Sequence, residues 1–530
     1  MSRRSRSHNR YSSPYGREKS RNIPSPLPYL LVALLAGVGL AYFHFFVFKS
    51  LTGSITNAYT GAAMPGVPVR LYSGASEVLT ATVSPSLSVT ATTGPTGAFI
   101  FQKLPAKPVL AVNMEGYASQ RVDAEGKQSV DIKLVPNILS GTVSGDDGKP
   151  VEGATIWGGG VITHTAEDGT YELKDLPSDR KLVVKAPGYL STSVQFGQVV
   201  TQDVELKPVF PRAIYLSADS IASPGKLSTL LDLVDRTELN AVVIDVKADN
   251  SGTVLYDSKL PIVKQFGASD PIISNLDAFL RRLQERDVYI IARLAVFWDQ
   301  AATSAKPEWA LKSKAAPGQP WLDAYGRRWA NPHNPQVWEY NLDIAKEVAT
   351  RGVNEVQFDI AYFPSNGALV DIDYGPDGAG KIRVDAIAGF LDAAQKELTP
   401  LGTYVSVDAL GLTPFVQDDM GVGQQFDELL ARADYVSPFV YPSDFADQFL
   451  DYEKPAEHPA DVVAQSLMQA VRRAGGAPKI RPWLQDFSRE VEYDAIKVRA
   501  EIDSAEQNGA SGWMLWNFGN VYTEGALKAP

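Results

Sequence analysis

The stretch "EVQFDIAYFPSNG", residues 355–367, alternates Glu355, Gln357 and Asp359 with Val356, Phe358 and Ile360. A period of two marks a β-strand whose faces meet different surroundings. One face carries carboxylates and an amide, the other large apolar groups. An aromatic-proline-Ser-Asn-Gly run then ends the strand. A carboxylate on one face just before a strand stops suggests the rim of a pocket.

The pattern recurs on both sides of this stretch. From "FPRAIYLSAD" onward, strand-like runs alternate with helical ones. The strands read "AIYLSAD", "AVVIDVKAD", "VYIIARLAVF", "EVQFDIAYF", "YVSVDAL", "YVSPFVY", "KIRPWLQDF" and "SGWMLWNF". Helical stretches such as "LSTLLDLVDRTELN" and "ADVVAQSLMQAVRRAG" lie between them. Eight strand–helix units over residues 210–530 predict an α/β (β/α)8 TIM barrel. The chain stops soon after the eighth strand, so a last helix is expected to be short or missing.

Strand parity then selects candidate site residues. On the second strand Asp245, Lys247 and Asp249 oppose Val242, Ile244 and Val246. The third offers Tyr289 and Arg293, the fourth Gln357 and Asp359, the fifth Ser406 and Asp408. The first adds Ser217 and Asp219, the sixth Ser437 and Tyr441, the seventh Arg481, Trp483 and Gln485, and Asn517 ends the eighth. Apolar faces must meet the helices, so the polar faces point into the lumen. They cluster late in each strand, at the end where barrel active sites sit. Buried ion pairs, such as Asp245 with Lys247 or Arg293, are the structural alternative.

The segment between the third and fourth strands holds Trp298, Trp309, Trp321, Trp329 and Trp338. Aromatic faces stack on the apolar faces of sugar rings. Trp338 reads as helix core and the others as core or platform, with Trp298 the candidate for the site. His333 could bind substrate or be polar surface.

The four runs "AVVIDVKADNSGTVLYDS", "EVQFDIAYFPSNG", "DYVSPFVYPSDF" and "IRPWLQDF" together resemble a bacterial glycosyl hydrolase domain family, over about residues 212–525. That resemblance implies a glycosidase-type barrel related to the alpha-amylase-like enzymes. In those barrels the nucleophile ends strand four, the acid/base ends strand five, and a further carboxylate sits on strand seven. Asp359, Asp408 and Asp486 fall in these places. Asp486 has the opposite parity to Gln485. The usual acid/base is Glu, one methylene longer than Asp408. The expected chemistry is a pair of carboxylates across an oxocarbenium-like transition state. Asp359 would be nucleophile or base and Asp408 the protonated acid. Arg293 would keep Asp359 ionised. Asp219, Asp245, Lys247, Arg293, Trp298, His333, Gln357, Tyr441, Trp483, Gln485, Asp486 and Asn517 would bind a polysaccharide. The competing function is a glycan-binding or envelope scaffold that keeps the pocket without catalysis.

The rest of the chain frames the barrel. Its 530 residues carry a net charge of −11, which argues against nucleic acid as a partner. Cysteine is absent, so disulfides, thiolate metal sites and cysteine nucleophiles are excluded. The few histidines are scattered, and no metal or cofactor is expected. "GPDGAGKI", residues 375–382, mimics a phosphate loop, but Ile382 stands where Ser or Thr would bind Mg²⁺.

Residues 51–208 contain an internal repeat, split at 51–135 and 136–208. Gly97 and Gly116 are separated by the same interval as Gly169 and Gly188, and Glu115-Gly116-Tyr117 matches Pro187-Gly188-Tyr189. Short alternating runs between Gly, Pro and Asp turns predict all-β sandwiches. The two copies resemble carboxypeptidase-regulatory-like domains of the prealbumin type, which implies seven-stranded spacers or adhesion units.

Residues 1–26 are basic and Ser-rich, and read as a disordered cytoplasmic tail. Leu27 to Phe48 contains no Lys, Arg, Asp or Glu. At about 1.5 Å per residue it would run roughly 33 Å, enough to span a bilayer as a transmembrane helix. A cleaved signal peptide is the rival reading, but no small-x-small cleavage site is well placed. Arg3, Arg4, Arg6, Arg10, Arg17, Lys19 and Arg21, opposed only by Glu18, would hold the N-terminus in the cytoplasm. A single-pass signal-anchor with extracytoplasmic domains is the expectation.

Overall fold

The computed structural model describes residues 27–46, 50–74, 89–176, 179–489 and 491–530. The chain divides into two compact units, Met1–Pro136 and Asn137–Pro530.

The membrane span expected over residues 27–48 is corrected. Leu27–Phe46 is helical, but among the described residues no helix is long and apolar enough to cross a membrane. The single-pass topology, the signal-anchor and the membrane as a partner lose their support with it. The basic tail, 1–26, lies outside the described residues.

In the first unit Leu51–Asn57 pairs antiparallel with Ala98–Phe101 and parallel with Ser129–Leu134. A four-stranded sheet runs Val89–Thr92, Pro68–Ser73, Pro108–Val112, Gln120–Asp123. Alternation puts Leu51, Ile55, Val69, Leu71, Phe99, Leu110 and Ile132 into one apolar cluster shared by both sheets. The second repeat shows the same neighbour order. Ile138–Gly145 lies between Thr170–Lys174 and Val204–Leu206, and the four-stranded sheet runs Val161–His164, Thr155–Gly158, Lys181–Lys185, Thr192–Gln195. Gly53 and Gly141 hold equivalent places at a tight approach. A Cβ on Gly141 would lie 1.9 Å from the Gln202 carbonyl oxygen, and one on Gly53 2.3 Å from that of Val130.

The barrel strands are β1 (Arg212–Leu216), β2 (Ala241–Lys247), β3 (Tyr289–Ala295), β4 (Glu355–Asp359), β5 (Tyr404–Ala409), β6 (Tyr435–Val440), β7 (Trp483–Gln485) and β8 (Trp513–Trp516). Each pairs in parallel with the next, and β8 closes on β1. Helices follow the first seven strands. Leu276–Gln284 buries Leu276, Phe279, Leu280 and Leu283, the i, i+3, i+4, i+7 stripe that faces a sheet. Its N-cap Asn275 accepts from the Ala278 amide, as Asp494 does from Lys497 at the start of Ala495–Gln507. After β8 there is only the 3₁₀ turn Glu524–Ala526.

The N-terminal end of the lumen is filled by a fully buried ion pair, Arg481 to Glu355 at 2.5 Å, with Tyr289 donating to the same carboxylate at 2.9 Å. The second β-module closes this end from below. The Tyr404 hydroxyl contacts the Ala186 and Tyr189 carbonyls, and the Gly188 amide donates to the Tyr435 hydroxyl at 2.9 Å. Lys185 reaches Asp434 at 2.7 Å, with its side chain 1% exposed. Removing one member of a buried pair leaves the other charge uncompensated. Lys185→Met is therefore expected to destabilise the second unit by about 3 kcal/mol. Urea denaturation of the full chain, followed by tryptophan fluorescence, checks this.

Candidate active site

Four neighbouring strands bring their last inward residues to one point. Register sets Asp245 opposite Arg293, and Ala295, two residues on from Arg293, opposite Asp359. Arg293 stands in the middle. Its Nη1 donates to Asp245 Oδ1 at 2.9 Å, its Nη2 to Asp359 Oδ2, and its Nε to Asp408 Oδ2 at 3.4 Å. Asp249 Oδ2 lies 3.7 Å from Nη2, and the Trp516 ring lies 5.1 Å from the guanidinium carbon. The remaining carboxylate oxygens have partners of their own. Tyr215 donates to Asp245 Oδ2 at 2.6 Å, Trp483 Nε1 to Asp408 Oδ1 at 2.8 Å, and the Ile360 amide to Asp359 Oδ1 at 2.7 Å. Ile360 has φ +51°, a left-handed conformation that a β-branched residue adopts only under strain. The chain turns sharply there, directly after Asp359.

One guanidinium cannot neutralise four carboxylates, and burial disfavours their charged forms. Burial raises Asp408 well above the usual carboxylate range, the Asp359 charge raises it further, and Arg293 opposes both. Asp359 rises to about 6, again through burial, with Arg293 lowering it and Asp249 raising it. The expectation that Arg293 simply keeps Asp359 ionised thus gives way to desolvation. Asp245 also lies above its ordinary value, through burial against the pull of Arg293. Accessibility is graded: the Asp249 side chain is 42% exposed, Asp245 10%, Asp359 4% and Asp408 0%.

Below this layer Gln357 Nε2 donates to Ser437 Oγ at 3.2 Å. Gln357 Oε1 and the Tyr441 hydroxyl are buried without a partner among the described residues. Tyr441 packs between Phe439 and Phe487. Trp298 stacks on Trp329 at 6.0 Å, and the Arg327 guanidinium lies over its ring. Trp309, Trp321 and Trp329 are core, with their indole nitrogens bonded to Gln336, the Ala368 carbonyl and Asp323.

Several expected site residues lie elsewhere. A register shift between Asp245 and Lys247 turns Lys247 out of the lumen, where it pairs with Asp299 at 2.8 Å and bonds Asn341. Asp219 is exposed in the five-residue helix Ala218–Ala222. Gln485 bonds Ser443 and the Phe487 carbonyl. Asp486 accepts from the amide and hydroxyl of Thr523 rather than meeting Arg293. Asn517 braces its own loop through the Asp486 and Val521 carbonyls. His333 lines a separate cavity. Sequence reasoning passed over Tyr215 and Trp516 as site residues, and placed Asp249 on the lumen face without giving it a role. Asp249 carried a usable signal, since it shares the parity of Asp245. Among the described residues no group of three or more His, Asp or Glu side chains is arranged to hold a metal ion.

A closed eight-stranded barrel with clustered carboxylates at the carboxyl ends of its strands is an architecture of the glycoside hydrolase class. The family model described as "Putative glycosyl hydrolase domain" matches residues 213–522, and the chain belongs to this family. Its barrel is a glycoside hydrolase domain. No curated protein matches the chain. Among solved structures, a hypothetical protein from Ruminiclostridium thermocellum is 34% identical, with a TM-score of 0.34 over 37% of this chain and 96% of that one. The PgaB (BpsB) glycoside hydrolase domain from Bordetella bronchiseptica is 16% identical, with a TM-score of 0.44 over 58% and 94%. The spore cortex-lytic enzyme SleL from Bacillus megaterium is 13% identical, with a TM-score of 0.36 over 60% and 72%.

The raised Asp359 has a consequence for stability. Its folded-state pKa of about 6 exceeds the ordinary 3.8, so between these values the folded chain binds more protons than the unfolded one. Stability from this group is present below the lower value and is lost as pH rises through the upper. Asp359→Asn is expected to flatten that decline and to make the barrel more stable than wild type at pH 7.5. Urea midpoints of both proteins at pH 4.5 and 7.5 check this.

Proposed function

We propose that the barrel hydrolyses glycosidic bonds of a polysaccharide with Asp359 and Asp408 as the working carboxylates. The observation that carries this reading is the pair of carboxylates on one guanidinium, with Asp408 wholly covered and raised by burial and by the Asp359 charge. Two coupled acids whose surroundings differ are the setting that acid and base roles need. Above about pH 6 Asp359 is ionised and faces the developing positive charge at the anomeric carbon, as nucleophile or base. Asp408 retains its proton and gives it to the leaving oxygen. Trp298 and Trp516, both half-buried near the mouth, offer faces for sugar rings. The two β-modules, carboxypeptidase-regulatory-like in pattern, serve as spacers.

One observation favours a second reading of the acid. Asp408 is wholly covered by Trp483 and Arg293, whereas Asp249 stands open beside the same guanidinium. In that reading Asp249 donates the proton, and Asp408 fixes Arg293.

A hydrolysis screen over a glycan library with the full chain tests the activity. Once a substrate is found, Asp359→Asn is expected to lower kcat by about a thousandfold or more while the protein stays folded. Loss of the acid is expected to spare aryl glycosides with good leaving groups while abolishing turnover of the natural glycan. Whichever of Asp408→Asn and Asp249→Asn gives that pattern identifies the donor. Full activity in Asp359→Asn would remove the β4 carboxylate from the mechanism. The ascending limb of kcat against pH is expected near 6.

A further inference from the structure

A second cavity, of about 370 Å³, opens on the same face of the barrel. Its residues come from the segments after β3 (His333), β4 (Tyr374, Gly378, Lys381, Arg383) and β5 (Asp419). It adjoins the carboxylate cluster through two consecutive residues. The Tyr362 hydroxyl feels the Asp359 charge, while the neighbouring Phe363 ring packs on His333 at 4.9 Å.

The cavity is built to receive something polar. His333 is 4% exposed and held between the Phe363 and Tyr374 rings. Its backbone amide is bonded to Asn331, but neither ring nitrogen has a hydrogen-bond partner among the described residues. The ring nitrogens are not among the fully covered unpartnered atoms, so the otherwise buried ring presents a polar edge to the cavity that a ligand can meet. Gly378 keeps the space open, since a Cβ there would lie 2.2 Å from the Tyr374 Cβ and 3.0 Å from the His333 ring.

The cavity is also cationic in its unspent charge. Lys381 and Arg383, two residues apart, both line it, and neither has an ion-pair partner among the described residues. Arg383 instead lies over the Phe363 and Tyr374 rings. The lining carboxylate, Asp419, is engaged by the Gly421 and Gly423 amides of its own turn. Burial lowers the His333 pKa, Lys381 and Arg383 lower it further, and Asp377 opposes them, so the ring stands as a neutral N–H donor. Two unpaired cations and a neutral donor around one cavity form a receptor for an oxyanion.

We propose that the cavity bounded by His333, Lys381 and Arg383 is a subsite for an oxyanion (a carboxylate or a sulfate ester) carried on the polysaccharide. That the oxyanion sits on a glycan rests on the hydrolase reading. The cavity's preference for negative charge does not. Within the phosphate-loop likeness of residues 375–382, Ile382 and Lys381 both line the cavity, and Lys381 brings the charge.

The test is calorimetric titration of the full chain, in the Asp359→Asn background so that no probe is consumed. The probes are tetragalacturonate, its carboxyl-reduced neutral counterpart, and 6-O-sulfated galactotetraose. At least one charged probe is expected to bind about tenfold or more tightly than the neutral one, and the tighter of the two names the anion. The Lys381→Gln/Arg383→Gln double variant is expected to erase that preference, with the neutral probe as reference. His333→Phe, which keeps the ring stack, is expected to reduce it. Equal binding of charged and neutral probes, or a preference that survives the double variant, overturns the proposal. A charge preference with no glycan hydrolysed by wild type would sink the hydrolase reading and leave the oxyanion cavity standing. Hydrolysis without charge preference would sink the cavity alone.

Discussion

Everything at the mouth of this barrel depends on one guanidinium. Arg293 rises from the third strand into a ring of aspartates and meets Asp245, Asp359 and Asp408 through three different nitrogens of its planar fork, with Asp249 beside the nitrogen that holds Asp359. A lysine would offer a point charge and could not hold separate carboxylates in fixed directions. The fork sets where each acid stands, and the shortage of positive charge sets how each holds its proton. Asp359 and Asp408 are chemically identical side chains. What distinguishes them is that one is nearly covered and the other wholly so, under the same cation. Their difference is made by the barrel, not by the residue type.

The arrangement is costly to the fold. Acids are kept out of water, a β-branched residue is held at positive φ, and a tyrosine hydroxyl is left without a partner among the described residues. The opposite end of the same lumen is closed over, and Glu355 Oε1 and Arg481 Nε and Nη2 are likewise buried there without a partner among the described residues. Glu355 and Arg481 pair there, tyrosines enclose them, and the neighbouring module seals the exit. The contrast between a sealed floor and a rim that gathers acids follows the division in such barrels between an end that supports and an end that reacts.

Much of this was legible in the chain. Strand parity identified Asp245, Arg293, Asp359 and Asp408 as sharing the lumen, because a residue buried on both faces of its strand must declare by chemistry which face is which. Parity failed where the backbone stops being regular. The register shift after Asp245 inverted Lys247, and the helix starting at Ala218 took Asp219 out of any strand. The tryptophan-rich segment misled in another way. Sequence cannot tell an indole that stacks on a sugar from one whose N–H is already satisfied within the core, as in Trp309, Trp321 and Trp329. The N-terminal apolar stretch reads as a membrane span by composition, but among the described residues no helix is long and apolar enough to cross a membrane. The oxyanion cavity was invisible because His333, Lys381 and Arg383 belong to no shared period. They meet only when loops after two different strands fold over one another.

The seal beneath the barrel redraws the working unit of this protein. By pattern, the chain changes character near residue 210, and a barrel excised there looks self-sufficient. Lys185, Ala186, Gly188 and Tyr189 would then be missing, and Asp434, Tyr404 and Tyr435 would open onto solvent with the groups they were shaped to meet removed. The second β-module is therefore the barrel's foundation, and the compact unit that holds both begins at Asn137. The second module is held in place by the barrel it closes.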